Sequence, residues 1–98
     1  MSMHVGLCRL TLHIAGSNSL KDKRQVVRSL VERLRRHYNA AVAEVEEQDS
    51  WRTAVLGITV VSNQAAHAHR QLDVIVEHVE ATRLDAEVVD RVVEIIPF

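Results

Sequence analysis

The chain has 98 residues, 47% of which are hydrophobic, and its formal net charge is −1 at pH 7. This length predicts one domain, residues 1–98, whose core needs neither a disulfide nor a metal ion. The near-neutral charge excludes a uniformly basic nucleic-acid-binding protein. The charges are nevertheless unevenly divided: residues 20–38 hold seven basic and two acidic residues, which gives +5, and the remaining five basic and eleven acidic residues give −6.

The sequence also bears on cellular location. Cys8 is the single cysteine, so no internal disulfide can form, and a reducing compartment is expected. The first residues do not form a basic segment followed by an apolar run, and no stretch is long and apolar enough to cross a bilayer. We therefore expect a cytoplasmic protein that does not contact a membrane.

The first half of the chain predicts a strand followed by a helix. Residues 5–15 alternate between two faces, as in a half-buried strand whose inward side holds Cys8, Leu10, Leu12 and Ile14. After a break at residues 16–18, Ser19 and Asp22 have the spacing of a capping box and predict a helix start, and Asn39 is a plausible stop. The inward stripe of this helix is predicted to be Val26, Val27, Leu30, Val31, Leu34 and Tyr38.

The second half predicts a hairpin, a helix and a last strand. Residues 41–47 and 52–61 read as strands joined by a turn at 48–50, so antiparallel pairing is expected. Ser62 or Asn63 is expected to cap a second helix. Residues 82–85 are expected to form the loop that follows this helix. Residues 86–96 read as a strand that Pro97 ends. The inward stripe of the second helix is predicted to be Ala65, Ala68, Leu72, Ile75, Val76 and Val79.

The order strand, helix, strand, strand, helix, strand predicts an α+β fold of the ferredoxin-like, split β-α-β type. Such a fold has a four-stranded antiparallel sheet with both helices on one face. Tyr38 and Trp51 are expected to pack at the core or its edge, and the central strands carry no aromatic residues on which RNA bases could stack.

The basic residues of the first helix suggest a site for anions. Cations near a helix start oppose the helix dipole, which costs only a few tenths of a kcal/mol at an exposed site, so a solvated surface would also explain them. The functional alternative is a site where free amides and several cations bind phosphate, most simply the RNA backbone. The candidate residues are Lys21, Lys23, Arg24, Arg28, Arg35 and Arg36.

The sheet face away from the helices suggests a second kind of site. An uncovered apolar sheet face often marks an interface, and a symmetric contact through it would produce a homodimer. A mixed polar face tolerated in a monomer is the alternative. The candidate interface residues are Leu7, Thr11, Val42, Val55, Thr59 and Val61.

Other kinds of chemistry have little support in the sequence. The six histidines show no spacing typical of metal ligands, and His67 and His69 point in different directions on a helix, so we expect neither a metal nor a cofactor. Cys8 lies on the inward face without an activating neighbour. The three glycines form no nucleotide-binding loop. Acylphosphatases share the fold class, but the loop at 16–19 lacks their arginine, and we do not expect an enzyme.

Several short segments carry a resemblance to a known family. The run Ser19-Leu20-Lys21-Asp22-Lys23-Arg24 and the helix after it are the most specific part, and the match spans nearly the whole chain. Together with Ala43-Glu44-Val45, with Trp51, Ala54 and Gly57, and with Val61-Ser62-Asn63, they resemble the YlxP-like family of uncharacterised bacterial proteins. The resemblance implies a ferredoxin-like fold and a gene often placed beside those for translation initiation and ribosome maturation. It implies no reaction and no catalytic residues.

The leading prediction is a non-enzymatic accessory factor that contacts RNA or a ribosomal particle through the basic first helix. The alternative is a homo-oligomeric protein-interaction module that binds through its sheet face. A small hydrolase of phosphate esters or anhydrides that depends on Arg24 is a third hypothesis.

Overall fold

The computed structural model describes residues 3–83 and 85–98, which form four strands and two helices in the predicted order. They are β1 (His4–Ile14), α1 (Leu20–His37), β2 (Ala41–Glu46), β3 (Thr53–Ser62), α2 (Ala65–Thr82) and β4 (Ala86–Pro97). Each element lies within a few residues of its prediction. Leu84, which belongs to the predicted loop after α2, lies outside the described residues.

The strands form one antiparallel sheet in the order β2-β3-β1-β4. Cys8 on β1 is opposite Ile58 on β3 and Val93 on β4, so these side chains share a face. This topology confirms the ferredoxin-like α+β fold. No helix of the described chain is long and apolar enough to span a membrane.

Both helices pack on the same face of the sheet, where the inward side chains of β1 and β3 meet the apolar stripes of α1 and α2 in one core. Gly6 allows α2 to approach closely, because a Cβ there would lie 2.9 Å from Cγ2 of Val60 and 3.1 Å from Cδ1 of Leu72. The opposite side of the sheet, which we call the open face, has no helix over it.

The two helix starts differ. Ser19 caps α1 as predicted, since its Oγ accepts a hydrogen bond from the amide of Asp22 at 3.0 Å. The predicted cap of α2 is wrong: the cap residue is Gln64, whose side chain makes no capping bond. Ser62 instead accepts a bond from the Gln64 amide at 3.2 Å, which places the hydroxyl just outside the helix.

The aromatic residues and the cysteine fall in contrasting surroundings. Tyr38 is half-buried and packs against the core, as predicted. Trp51 is 56% exposed, so its predicted packing is wrong; the loop between β2 and β3 holds it away from the core. Cys8 is buried, and burial raises the pKa of its thiol, which disfavours the reactive thiolate.

Candidate nucleic-acid interface

The outward side of α1 carries five basic residues that we call the cationic surface of α1. The apolar residues of the helix recur at helical spacing and turn inward, so the basic residues between them face solvent. At a rise of about 1.5 Å per residue, the surface is about 22 Å long. Its residues are exposed and make no ion pair or side-chain hydrogen bond with any described residue: Lys21, Arg24, Arg28, Arg33 and Arg36.

Basic residues elsewhere are mostly held by partners. Arg83 pairs with Asp85 at 2.7 Å, Arg91 pairs with Asp73, and Arg52 donates hydrogen bonds to the loop between β1 and α1. The Asp73 pKa is lowered, chiefly by the hydrogen bond from Arg91. Free positive charge is therefore concentrated on α1. Two further basic side chains lack such a partner among the described residues, namely Arg9 and Arg70.

The prediction that Lys23 binds an anion is wrong. Its side chain is fully buried, and Nζ lies 2.8 Å from Oε2 of Glu44. The same ammonium donates to the carbonyl oxygens of Glu47 at 2.8 Å and Thr53 at 3.2 Å, and Gln48 O lies 3.4 Å away. Lys23 therefore ties the start of α1 to the β2–β3 hairpin, and no charge on it is left for a phosphate.

The sequence contained a signal for this burial. Lys23 lies four residues before Val27 and seven before Leu30, both of which are buried, so it belongs to the inward stripe of the helix. This spacing separates Lys23 from the other basic residues of the helix.

Side chains at the start of α1 bond to some of the nearby amides. Ser19 takes the amide of Asp22, and the Asp22 carboxylate accepts a bond from the amide of Asn18 at 3.1 Å. One of the amides at the helix start, that of Asp22, is thus already bonded. Lys23 cannot take part in the predicted convergence of helix-start cations on one anion, and the exposed cations are spread along α1.

Arg35 and Arg33 have different positions from those expected. Arg35 donates from Nε and a terminal nitrogen to the carbonyl oxygen of Val42, at 3.1 and 2.7 Å, which holds it against the edge strand β2. Arg33 was not predicted as a site residue, yet its side chain is exposed beside α2. Only the packing of the two helices reveals which side of α1 it occupies.

The predicted interface residues on the open face fall into several classes. Leu7 is 38% exposed and Val61 is 58% exposed, so both offer apolar surface. Thr11 and Thr59 are partly exposed, and the Thr59 hydroxyl donates to the carbonyl oxygen of Gly6 at 2.9 Å.

Two predicted interface residues are buried. Val55 lies on the open face opposite Thr11 but is only 5% exposed, so little of it can contact a partner. Val42 is wrong as an interface residue, because it pairs with Ile58, points toward the helices and is 2% exposed within the core.

The open face contains a shallow depression of about 630 Å³. It arises at Gly57, whose missing side chain leaves space beside Val45; a Cβ on Gly57 would lie 3.0 Å from Cγ1 of Val45. Leu7 and Val92 are exposed apolar residues of its lining. The depression is therefore an apolar surface without cover from the described chain.

Histidine and tyrosine side chains meet beyond the end of α1. The Tyr38 hydroxyl lies 2.9 Å from Nδ1 of His78, and the His37 and His78 ring centres are 5.1 Å apart. Burial, and then the charges of His37 and Arg33, hold the pKa of His78 below its ordinary value of 6.5. The neutral form of His78 is therefore favoured, and its Nδ1 can accept a hydrogen bond from the Tyr38 hydroxyl.

The remaining histidines on α2 bind to neighbouring side chains. His67 lies 3.1 Å from the hydroxyl of Ser62, and His69 lies 3.2 Å from a carboxylate oxygen of Asp73. Within residues 3–83 and 85–98, no three His, Cys, Asp or Glu side chains converge in a way that could hold a metal ion.

Residues 5–93 match the protein family described as Protein of unknown function (DUF503). The chain belongs to the DUF503 family. The match covers β1 through most of β4 and includes every residue of the cationic surface of α1.

A relative of this chain agrees with the predicted resemblance. The uncharacterized protein YlxP of Bacillus subtilis (strain 168) is 27% identical over 74 residues, which cover 76% of this chain and 78% of the relative. The YlxP-like resemblance is thus confirmed.

Proposed function

We propose that this DUF503 protein is a non-enzymatic cytoplasmic accessory factor that contacts RNA, free or within a ribosomal particle, through the cationic surface of α1. The observation that carries the proposal is the set of five exposed basic side chains along α1, none of which has a carboxylate partner in the described part of the chain. Other basic residues, such as Arg83 and Arg91, are held by acids.

The shape of this surface favours a chain of phosphates over an isolated anion. The basic side chains are spread over about 22 Å along the helix, and the amide of Asp22 at the helix start is already bonded to Ser19. Basic residues along a helix neutralise successive phosphates and release counterions, which gives affinity without sequence preference. The acids Asp22 and Glu32 on the same helix limit the affinity, since they reduce its net charge.

The test is binding of a fluorescein-labelled 20-nucleotide oligouridylate, and of 30S particles, measured across a salt series. Binding to wild-type protein is expected to weaken with salt. Replacement of Lys21, Arg24 and Arg28 with Gln is expected to reduce the slope of log K against log[salt] by about 2, since each phosphate contact on a single strand contributes about 0.7. Lys23 is left intact because it is part of the fold.

A matched control separates position from net charge. Arg28→Gln and Arg9→Gln each remove one exposed, unpaired cation, but Arg9 lies on the open face of the sheet. Only Arg28→Gln should weaken RNA binding. Equal losses in both variants, or no salt-dependent binding at low salt, would refute the proposal.

A second candidate function is self-association through the open face. The depression there is lined by apolar residues, and it also holds Arg9 and Glu94, neither of which has an ion-pair partner in the described chain. In a two-fold contact, Arg9 of each copy can meet Glu94 of the other, so a second copy suits the face by charge as well as by apolarity.

The oligomeric state tests this candidate. Val61→Asp and Val92→Asp place a charge at exposed positions, so they should dissociate a dimer without unfolding the protein, whereas Val55→Asp would disturb a buried site. The molar mass from light scattering is expected to halve in both variants. A wild-type mass equal to the monomer's 11.1 kDa would rule the dimer out.

A further inference from the structure

A pocket of about 200 Å³ lies between the segment that follows α1 and the first half of α2. We call it the Gln71 pocket. Its inner wall is apolar, because Val60 and Ile75 belong to the core. Its lining is completed by Tyr38, Asn39, His67, Arg70, Gln71 and Val74.

The charged side chain that lines the Gln71 pocket is positive. No carboxylate lines it, whereas Arg70 does, and that arginine makes no ion pair with any described residue. Arg33 and Arg36 of the cationic surface lie one turn from the point where α1 gives way to Tyr38 and Asn39. The cationic surface of α1 therefore ends close in the chain to Tyr38 and Asn39, which line the pocket.

The carboxamide of Gln71 lacks partners. Its Oε1 is shielded from solvent and accepts no hydrogen bond from a described residue, so the carboxamide must turn toward the pocket to meet a ligand. Asn39, a second carboxamide of the lining, makes no side-chain hydrogen bond in the described chain either. Buried polar groups in proteins are almost always paired, so a group like Gln71 calls for an explanation such as a ligand.

We propose that the Gln71 pocket takes one unpaired adenine of an RNA strand that lies on the cationic surface of α1. The inference rests on the proposed function. It adds a preference for one base to RNA binding that otherwise depends only on phosphate contacts. A carboxamide offers one acceptor and one donor side by side, which pair with the N6 amino group and N7 of adenine. Arg70 then faces the phosphate of the same nucleotide.

The size and walls of the pocket agree with a single base. About 200 Å³ is below the roughly 300–1,000 Å³ of sites for drug-sized ligands, so a ring system fits but a whole nucleotide does not. The Tyr38 ring is held in place by the bond between its hydroxyl and His78. Proteins that read single-stranded RNA commonly stack a splayed base on such a ring.

The experiment compares labelled 12-nucleotide oligoadenylate and oligouridylate on three proteins: wild type, Gln71→Met and Gln64→Met. Methionine keeps the length of glutamine and removes its hydrogen-bonding groups, so Gln71→Met should fold. Gln64 is the matched control, a glutamine at the cap position of the same helix that is exposed and makes no side-chain capping bond.

Wild type is expected to bind oligoadenylate about tenfold more tightly than oligouridylate, the scale of one bidentate base contact. Gln71→Met should abolish the preference without changing oligouridylate affinity, and Gln64→Met should retain it. An equal affinity for both oligonucleotides, or a preference that survives Gln71→Met, would overturn the adenine proposal. If salt-dependent RNA binding were nevertheless intact, the proposal that α1 binds RNA would still hold. The experiment therefore distinguishes failure of the adenine proposal from failure of the RNA-binding proposal.

A parallel measurement with AMP identifies the source of the adenine. The free nucleotide offers the same ring and phosphate but cannot extend along α1, so its affinity should be far below that of the oligoadenylate. AMP binding as tight as that of the oligonucleotide, unaffected by the Lys21/Arg24/Arg28 replacement, would overturn the RNA assignment.

Discussion

The inward and outward sides of α1 use the same residue type for opposite purposes. Lys23 on the inward side is fully buried and bonded to a carboxylate and to backbone carbonyls, whereas Lys21, two residues earlier, is exposed and unpaired within the described chain. One lysine stabilises the fold, and the other is available to a ligand. Position on the helix, rather than the count of basic residues, separates structural from functional charge.

The largest expected effect comes from removing the inward lysine. Lys23→Ala leaves Glu44 and the hairpin carbonyls without their donor, and breaking one side of a buried pair costs about 3–5 kcal/mol of unfolding free energy. Lys21→Ala should change it by less than about 0.5 kcal/mol, as exposed substitutions usually do. Urea denaturation of the two variants measures the contrast, and similar midpoints would contradict it.

A double variant sharpens this result. Lys23→Met with Glu44→Leu removes both charges, and apolar replacement of a buried pair is often close to neutral. Recovery should still be incomplete, because the carbonyl oxygens of Glu47 and Thr53 lose a hydrogen-bond donor. Full recovery to wild-type stability would mean that those carbonyl contacts contribute nothing.

The start of α1 should show an intermediate effect. Ser19→Ala removes the oxygen that accepts from the Asp22 amide, and loss of such a cap costs about 1 kcal/mol. Ser62→Ala near α2 should cost less, since Ser62 lies outside the cap position there. Thermal unfolding of both variants tests the order, and the reverse order would contradict the assignment of the caps.

The smallest expected effect concerns pH. The pKa of His78 in the folded protein lies below 6.5, so the unfolded chain binds a proton more readily. The contribution of His78 to stability is therefore complete above pH 6.5 and is lost as the pH falls from 6.5 through its lower folded pKa. Urea midpoints measured between pH 5 and pH 8 should decline in that direction, and less so in His78→Gln.

The outward charge of α1 offers a check on this linkage. Arg33→Gln removes one of the charges that lower the pKa of His78, so an NMR titration should find a higher pKa in that variant. Arg24→Gln, at the opposite end of the helix, is the control and should leave the titration unchanged. A shift of equal size in both variants would show that Arg33 does not act locally.

Periodicity was enough to predict the fold, because each element has a clear repeat and short connections. It was not enough to orient β2. Val42 was predicted to lie on the interface face, whereas it lies in the core, and Glu44 also turns inward to meet Lys23, which lies 21 positions earlier in the chain. The buried side of β2 therefore depends on Lys23, a residue of α1, and cannot be determined from the strand sequence alone.

The candidate site was only partly predictable for a related reason. The exposed cations follow from the helical repeat, and the same repeat would have excluded Lys23. The Gln71 pocket could not be found in this way, because its walls come from the end of α1, from β3 and from α2. No local pattern indicates that Asn39 and Gln71 line the same space.

The division of charge between α1 and β4 has a kinetic consequence. β4 carries Glu87, Asp90 and Glu94, while its basic residue, Arg91, is bound to Asp73. The exposed basic side chains of α1 therefore form a local positive surface on a molecule whose net charge is −1. A polyanion attracts this positive surface at a distance, so encounters that bring α1 toward the polyanion are favoured. The association rate is therefore highest at low ionic strength.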